Sequence, residues 1–308
     1  MSKVLISQRD AYGEALLALS KKEERVVVLT ADLASSTRIE KVARQFPERF
    51  FNLGVAEQNA VGVAAGLALE GFIPFLSSFA VFIPGRCFDQ IRVSVCQNKA
   101  NVKLVGSHLG FSNSGDGASA QSIADIALMR SMPEMVVLSP ADANEVKSAV
   151  VAMAAYQGPV YMRISRSKTL LLTKKDREFK IGQATAMRRG RKLTIVGTGP
   201  ILAKALAIAN RLDAEVINCA TIKPLDGETI IKSVKKTGRV LTLEEHSVLG
   251  GLGAAVAEFL SQECPVPIKI MGIPDVFGES ARDPEELYQK YGLAEKEIKE
   301  EGEKLINS

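Results

Sequence analysis

Short runs of apolar and β-branched residues alternate with helical patterns over the first half of the chain. Four such runs predict strands at residues 25–30, 102–106, 135–139 and 160–164. Apolar residues at helical spacing predict helices at residues 11–19, 57–69, 84–96, 122–129 and 143–155. Because apolar strands separated by helices are typical of parallel sheets with both faces covered, this part of the chain predicts an α/β layer structure.

The pattern breaks at TKKDRE (173–178), a charged run without apolar periodicity. Such a run indicates an exposed linker between two folded units. We therefore expect one domain at residues 1–175 and a second, smaller domain at residues 176–308.

The second unit continues the alternation. Apolar segments at 181–187 and 193–196 flank RRGR, which predicts a hairpin at the start of this domain. The pattern then predicts strands at 215–218, 239–243 and 266–271 and helices at 201–212, 227–236 and 253–261. Residues 284–305 carry oppositely charged pairs four positions apart, which indicates a solvated helix face. The predicted fold class is α/β, with two open, mainly parallel-sheet domains.

Composition narrows the class of protein. Of the 308 residues, 46% are hydrophobic and 24% charged, which excludes disordered, collagen-like and coiled-coil chains. The net charge of +4 is small and the two signs interleave, so we expect no nucleic-acid partner. The most apolar stretch, 72–85, is shorter than the roughly 18–20 residues that span a bilayer. With no signal-peptide pattern and four scattered cysteines expected to be free thiols, we expect a cytoplasmic protein and no membrane partner.

Familiar catalytic signatures are missing from the sequence. Its two histidines, His108 and His246, lie in no metal-spaced cluster, and there is no GxSxG elbow, P-loop or paired-cysteine motif. The residues GTGP (197–200) open a predicted helix and could face a phosphate, but a tight strand-to-helix turn explains them equally well. No metal ligand is assigned to this chain.

The most informative segment is FNLGVAEQNAVGVAAGLALEG (51–71). Glu57 opens a predicted helix that continues with alanines and glycines, and these small residues let a backbone or a flat ligand approach closely. A glutamate at this position also interacts favourably with the positive end of the helix dipole. The residue types alone leave both interpretations of Glu57 open.

Residues 51–66 resemble the transketolase segment whose glutamate contacts the aminopyrimidine of thiamine diphosphate. The resemblance continues through SFAVFIPGRCFDQIR (78–92), GSHLGFSNSGDGASAQ (106–121), MPEMVVLSPADANEV (132–146), RISR (163–166) and LTLEEHSVLGGLG (241–253). It covers the pyrimidine-binding and C-terminal domains of the family, whereas the diphosphate-binding half with its GDG…N metal motif is absent from this sequence. The chain resembles the C-terminal subunit of a split transketolase.

The resemblance assigns a cofactor site. Glu57 matches the catalytic glutamate that hydrogen-bonds N1′ of the aminopyrimidine, and Phe79 and Phe82 match the aromatic residues that stack on this ring. Asp32 matches a residue near the thiazolium. Relatives carry His or Gln at the position of Ala120, so either Gln121 binds the cofactor in its place or that role is absent.

The resemblance also assigns a substrate site. The positions that hold the sugar phosphate in transketolases are matched by Arg9, Ser36, His108, Asp116 and Arg166. Arginine suits a phosphate because its planar fork forms charge-assisted bidentate bonds. His108 is also expected to be catalytic, since it can assist proton transfer at the new carbonyl. Asp116 can accept from a substrate hydroxyl.

These matches imply an enzyme subunit of the pentose phosphate pathway. It would transfer a two-carbon ketol unit between sugar phosphates with thiamine diphosphate, and a separate N-terminal subunit would bind the diphosphate and Mg²⁺ in an α₂β₂ complex. One alternative is the β subunit of a 2-oxoacid dehydrogenase E1 component or a deoxyxylulose-phosphate-synthase-like enzyme, against which the phosphate set around Arg9 and Arg166 argues. Another is a catalytically idle interaction subunit, against which Glu57, His108 and Asp116 argue.

Overall fold

The structure, a computed structural model, describes residues 4–308 and contains two α/β domains. The strands of the first domain are β1 (Leu5–Ser7), β2 (Val26–Thr30), β3 (Phe50–Asn52), β4 (Ile73–Phe79), β5 (Lys103–Ser107), β6 (Val136–Leu138), β7 (Val160–Ile164) and β8 (Lys168–Leu170). Its helices are α1 (Gln8–Ser20), α2 (Glu40–Gln45), α3 (Glu57–Leu69), α4 (Ile83–Arg86), α5 (Phe88–Gln90), α6 (Asp125–Arg130) and α7 (Ala143–Ala155). Helices α3 and α7 have the bounds that their apolar spacing predicts.

The first domain is built on a sheet in which β6, β7, β5, β4, β2 and β3 lie side by side and parallel. Separate apolar cores flank the sheet, one around Tyr12 and Phe75 and the other around Leu76 and Ile91. Because both faces are covered, a central strand such as β2 is buried at every position. The predicted α/β layer structure is confirmed.

The second domain has a smaller sheet of five strands. Its strands are β9 (Thr185–Arg188), β10 (Leu193–Gly197), β11 (Ala214–Asn218), β12 (Thr221–Lys223), β13 (Val240–Ser247) and β14 (Ile268–Ile273), of which all but β12 belong to this sheet. Its helices are α8 (Leu202–Ile208), α9 (Gly227–Thr237), α10 (Leu252–Glu263), α11 (Pro284–Lys290) and α12 (Glu295–Asn307). The order β14-β13-β10-β11-β9 is parallel except for β9. A smaller, mainly parallel sheet is therefore confirmed.

The predicted hairpin around RRGR is wrong. Strand β9 pairs antiparallel with β11, because both edges of β10 are already paired with the parallel strands β11 and β13. Gly190 in the connection packs against the backbone of Ala214, where a Cβ would approach the carbonyl carbon to 2.1 Å. The close contact between these two backbones, rather than a tight turn, accounts for the glycine.

Strand β12 ties the two domains together. It follows β11 of the second domain but pairs antiparallel with β6 and so becomes the seventh strand of the first sheet. The core around Leu76 continues through this junction to Ile222, Ile230 and Leu252. The two domains therefore share one apolar core.

Residues 84–96 do not form the single helix that their spacing predicts. Helix α4 ends at Arg86, α5 spans three residues, and a π-helical segment covers Ile91–Cys96. Pro84 lies in the first turn of α4, where its missing N–H is tolerated, so it does not account for the break after Arg86. The four cysteines are free and three are buried, as expected. None of the described helices is both long and apolar enough to cross a membrane.

Candidate functional site

Most of the predicted site residues meet at one edge of the first sheet. Parallel strands present their carboxyl ends at a common edge, which is where open α/β sheets bind ligands. Phe79 ends β4, His108 follows β5, and Arg166 follows β7 by two residues. Glu57 begins α3 just after the neighbouring β3. The topology thus brings together residues that are far apart in sequence.

Glu57, Arg86, Phe82 and Phe79 form a connected group, the aromatic slot, in which the Glu57 carboxylate is buried. The Glu57 side chain is only 3% exposed, and its Oε2 accepts a hydrogen bond of 2.9 Å from Nη1 of Arg86. The Arg86 guanidinium lies over the ring of Phe82, 4.4 Å from the ring centroid. The Phe79 and Phe82 rings are nearly parallel, at 16° and 5.4 Å between centroids.

This arrangement fits a thiamine aminopyrimidine. The Arg86 guanidinium is flat, carries N–H groups, stacks on Phe82 and bonds to the buried carboxylate of Glu57. An aminopyrimidine ring is also flat and polar at one edge, so it could stack on Phe82 and form a hydrogen bond with the Glu57 carboxyl group. Glu57, Phe79 and Phe82 are therefore a chemically suitable set for the cofactor.

His108 lies between the aromatic slot and a group of arginines. Its ring centroid is 3.8 Å from that of Phe79, and its Nδ1 is 2.8 Å from the Ser107 hydroxyl. Burial, followed by the nearby charges of Arg9 and Arg166, lowers the pKa of His108 to about 3. The imidazole is therefore neutral at physiological pH, with a nitrogen that can accept a proton.

Arg9 and Arg166 form a positively charged group beside His108. Nη1 of Arg9 donates to the Ser36 carbonyl at 2.7 Å, and Nη2 donates to the Arg166 carbonyl at 3.3 Å. Burial, then Arg38 and Arg166, lowers the pKa of Arg9. The guanidinium groups of Arg9, Arg38 and Arg166 together create a local excess of positive charge, which favours binding of an anion.

Asp116 is also at this edge. Nη1 of Arg166 donates to Oδ1 of Asn113 at 2.6 Å and lies 3.8 Å from Oδ2 of Asp116. Both the Arg166 and the Asp116 side chains are about half exposed, so a ligand can reach them. Arg9, Ser36, His108, Asp116 and Arg166 are thus brought together, as a substrate site requires.

Asp32 and Gln121 have other surroundings. Asp32 is exposed just beyond β2, where Nδ2 of Asn52 donates to its carboxylate at 3.1 Å. Gln121 is 3% exposed, and its Nε2 donates to the Glu279 carbonyl of the second domain at 2.9 Å. Gly278 packs so closely on the Gln121 amide that a Cβ there would clash with it. Contacts of Asp32 and Gln121 with the cofactor stay predictions.

The sequence patterns do not single out Arg86, although it lies within SFAVFIPGRCFDQIR. One signal was available: Arg86 stands four residues after Phe82, the helical spacing that places a guanidinium over a ring.

Within residues 4–308, no group of three or more His, Cys, Asp or Glu side chains is arranged to hold a metal ion.

Comparison with protein families places both domains. Residues 5–170 match the model described as "Transketolase, pyrimidine binding domain", and residues 182–298 match "Transketolase, C-terminal domain". The expected boundary between residues 175 and 176 lies in the stretch that neither match covers, and it stays a prediction.

Three similar proteins cover nearly the whole chain. The 6-deoxy-6-sulfo-D-fructose transketolase subunit of a Clostridium species is 41% identical over 94% of this chain and 91% of its own. A putative transketolase C-terminal section of Methanocaldococcus jannaschii is 45% identical over 95% and 94% of the two chains. A solved split-gene transketolase, described as an inactive β4 tetramer, has a TM-score of 0.90 and 45% identity over 98% of both chains. The chain belongs to the transketolase family and carries its pyrimidine-binding and C-terminal domains, as these split-form relatives do.

Proposed function

We propose that this chain is the C-terminal subunit of a transketolase that moves a two-carbon ketol unit between sugar phosphates. One observation supports it above all: a buried carboxylate, Glu57, in an aromatic slot that adjoins His108 and the Arg9/Arg166 pair. A cofactor slot and an anion site side by side are what the transfer between two phosphorylated sugars needs.

Glu57, Phe79 and Phe82 would hold the aminopyrimidine of thiamine diphosphate. When bound, the cofactor would supply a nucleophilic carbon. Glu57 would share a hydrogen-bonded proton with the ring, and the surrounding apolar residues would exclude water and strengthen that bond. Arg86 must leave the slot for this to happen.

Arg9 and Arg166 would hold the anionic end of the sugar, with Ser36 beside them. His108 exchanges a proton with the reacting oxygen, which its neutral state permits. Asp116 accepts from a hydroxyl. One relative is named for a sulfonated sugar, so the assay compares a phosphorylated and a sulfonated donor directly.

The proposal includes a partner. An N-terminal transketolase chain would hold the diphosphate through Mg²⁺ and would form an α₂β₂ complex with this subunit. Free thiols are typical of a reducing compartment, and so we place this complex in the cytoplasm. The proposed transfer between sugar phosphates would belong to the pentose phosphate pathway.

Reconstitution tests the proposal. The chain is co-purified with the candidate N-terminal chain and assayed with xylulose 5-phosphate and ribose 5-phosphate, with and without thiamine diphosphate. A sulfonated sugar donor and pyruvate are assayed in parallel. Ketol transfer that requires both chains and the cofactor supports the proposal. Pyruvate decarboxylation without ketol transfer favours a 2-oxoacid enzyme, and failure to bind the cofactor with any candidate partner favours an interaction subunit.

A further inference from the structure

The loop at residues 109–121, which carries Asp116 and connects β5 to α6, packs against the second domain. The Ser114 carbonyl accepts from the Ala281 amide at 3.0 Å. Gly117 has a positive φ of 74°, and a Cβ there would lie 2.6 Å from the Ser280 hydroxyl. The second domain therefore limits the conformations that this loop can adopt.

Glu245, at the end of β13, is the second-domain side chain at the centre of this contact. It is 2% exposed; its Oε1 accepts from the Ser112 amide at 3.0 Å, and its Oε2 accepts from the Tyr288 hydroxyl at 2.7 Å. Gly110 packs on the same side chain, where a Cβ would lie 2.5 Å from Cγ of Glu245. Both carboxylate oxygens are thus used, one on the loop and one on α11.

The contact continues from Ser112 to the substrate arginine. The Ser112 hydroxyl accepts from the Arg166 amide at 3.2 Å, and the Ser112 carbonyl accepts from the Ser167 hydroxyl at 3.2 Å. The next residue of the loop, Asn113, accepts from the Arg166 guanidinium. A displacement of Ser112 would therefore move both the backbone and the side chain of Arg166.

We propose that Glu245 is a positioning residue for substrate binding: from the second domain, it fixes through Ser112 the loop and the arginine that receive the sugar. This inference rests on the proposed function. It gives the second domain a defined part in the reaction although that domain contributes no predicted site residue.

Glu244 provides a matched control. It precedes Glu245 in the same strand and is also fully buried, but successive residues of a strand face opposite sides. Its two oxygens accept from the amides of Leu252 and Gly253 at the start of α10, each at 2.7 Å. Replacing Glu244 therefore removes an equally buried carboxylate without touching the loop.

Hydrogen–deuterium exchange on the full chain tests the positioning directly. In Glu245→Ala, we expect amide exchange within residues 109–121 to rise about tenfold, because a buried acceptor is lost. In Glu244→Ala, the rise should be confined to the first turn of α10. Equal loop exchange in the two variants, or none in Glu245→Ala, would overturn the inference.

Kinetics of the reconstituted complex test the consequence. Glu245→Ala should raise KM for the sugar phosphate about tenfold and change kcat less than threefold, since the reacting groups stay in place. Glu245→Gln should recover part of this loss, because its amide oxygen still accepts from Ser112. A fall in kcat at unchanged KM would contradict positioning.

Failure of the proposed function and failure of the inference about Glu245 give different results. If the wild-type complex shows no ketol transfer, the proposed function fails, whereas the exchange experiment still decides whether Glu245 orders the loop. If Glu245→Ala does not fold, Tyr288→Phe removes the other partner of the carboxylate and should give a smaller rise in loop exchange and KM. No rise in Tyr288→Phe would then count against the inference.

Discussion

Two groups of buried charges differ in how they are compensated. At the candidate site, Glu57 is paired with Arg86, a side chain that is 45% exposed. At the interface between the domains, Arg163 and Asp125 form an ion pair of 2.8 Å in which both side chains are almost fully buried. The Tyr161 hydroxyl donates to Asp125 at 2.7 Å. At the interface, both members of the ion pair are shielded from solvent. At the candidate site, the partner of Glu57 is nearly half exposed, so a ligand can displace it.

This difference separates binding from stability. Losing one partner of a buried pair strands the other charge and costs about 3–5 kcal/mol, whereas a half-exposed pair contributes at most about 1 kcal/mol. Substitutions at the site should therefore change mainly catalysis, and substitutions at the interface should change mainly folding.

Glu57→Gln should lower kcat of the reconstituted complex by about 10²–10⁴-fold, because a proton shared with the cofactor is lost while the side-chain volume is kept. The melting temperature of the chain alone should change little. Glu70→Gln, at the exposed C-terminal end of the same helix, is the control and should retain full activity. Near-normal ketol transfer by Glu57→Gln would remove the basis of the assigned mechanism.

Arg163→Met should lower the free energy of unfolding by about 3–5 kcal/mol, since Asp125 would be left buried without its cation. Urea unfolding of the chain alone measures this. Arg166→Met, which removes a half-exposed arginine, should cost about 1 kcal/mol or less. Equal losses in the two variants would show that the interface and the site do not differ as described.

Arg166→Lys should raise KM for the sugar phosphate about 10–100-fold with a smaller effect on kcat. Lysine keeps the charge but cannot form the two parallel bonds of a guanidinium fork. Arg38→Lys tests whether position matters, because Arg38 belongs to the same positive group but pairs with Asp10 on the exposed surface. A similar KM change in both variants would mean that the position of the arginine does not matter for binding of the sugar phosphate.

The sequence predicts the parts of the fold that depend on local pattern. Helix α3 has the predicted bounds because its apolar and small residues recur at helical spacing. Strand β12 is only three residues long and is defined by its partner β6 in the other domain, so no pattern within it reveals its position. The sequence pattern does not predict β4 either, because this strand is buried on both faces and its residues show no alternation of polar and apolar positions.

The sequence likewise identifies some residues of the candidate site and not others. Resemblance to a family assigns roles to Glu57 and His108, because their positions match ones that have a role in the family. It assigns none to Arg86 or Glu245, although both lie in matching segments, because their contacts depend on which surfaces meet in three dimensions. Glu245 contacts the loop through Ser112, which is 133 positions away in the chain.

The two histidines offer a pH test of the comparison. Burial lowers the pKa of His108 to about 3 and that of His246 to about 4, so neither ring of the folded chain should titrate between pH 5.5 and 8. Below pH 6.5 the unfolded chain binds these protons and the folded chain does not. Their contribution to stability is therefore lost as the pH falls. NMR of labelled histidine measures both rings.

Two glutamates act with the opposite sign. Burial raises the pKa of Glu244 and of Glu245 to about 7, so the folded chain holds two protons that the unfolded chain loses above pH 4.5. Their contribution is lost as the pH rises. Between pH 5 and 6, the pH dependence of stability that comes from the two histidines nearly cancels that from the two glutamates. Glu244→Gln should unmask a fall in stability of about 1.4 kcal/mol per unit of decreasing pH, relative to the wild type.

Arg86→Ala should have the smallest effect and the opposite direction from the other site variants. In the free subunit, the guanidinium occupies the contacts that the aminopyrimidine would use on Glu57 and Phe82, so the cofactor must displace it. Because the Arg86 side chain is nearly half exposed, its pairing is worth about 0.2–1 kcal/mol, and its removal should tighten cofactor binding by at most about fivefold. Calorimetric titration of the reconstituted complex with thiamine diphosphate measures this. Arg92→Ala, which removes an exposed pair with Asp89 just beyond α5, should leave the affinity unchanged. Weaker binding in Arg86→Ala would instead mean that the arginine stays in the slot and holds the cofactor, so that Glu57 would be paired within the chain as firmly as the interface charges are.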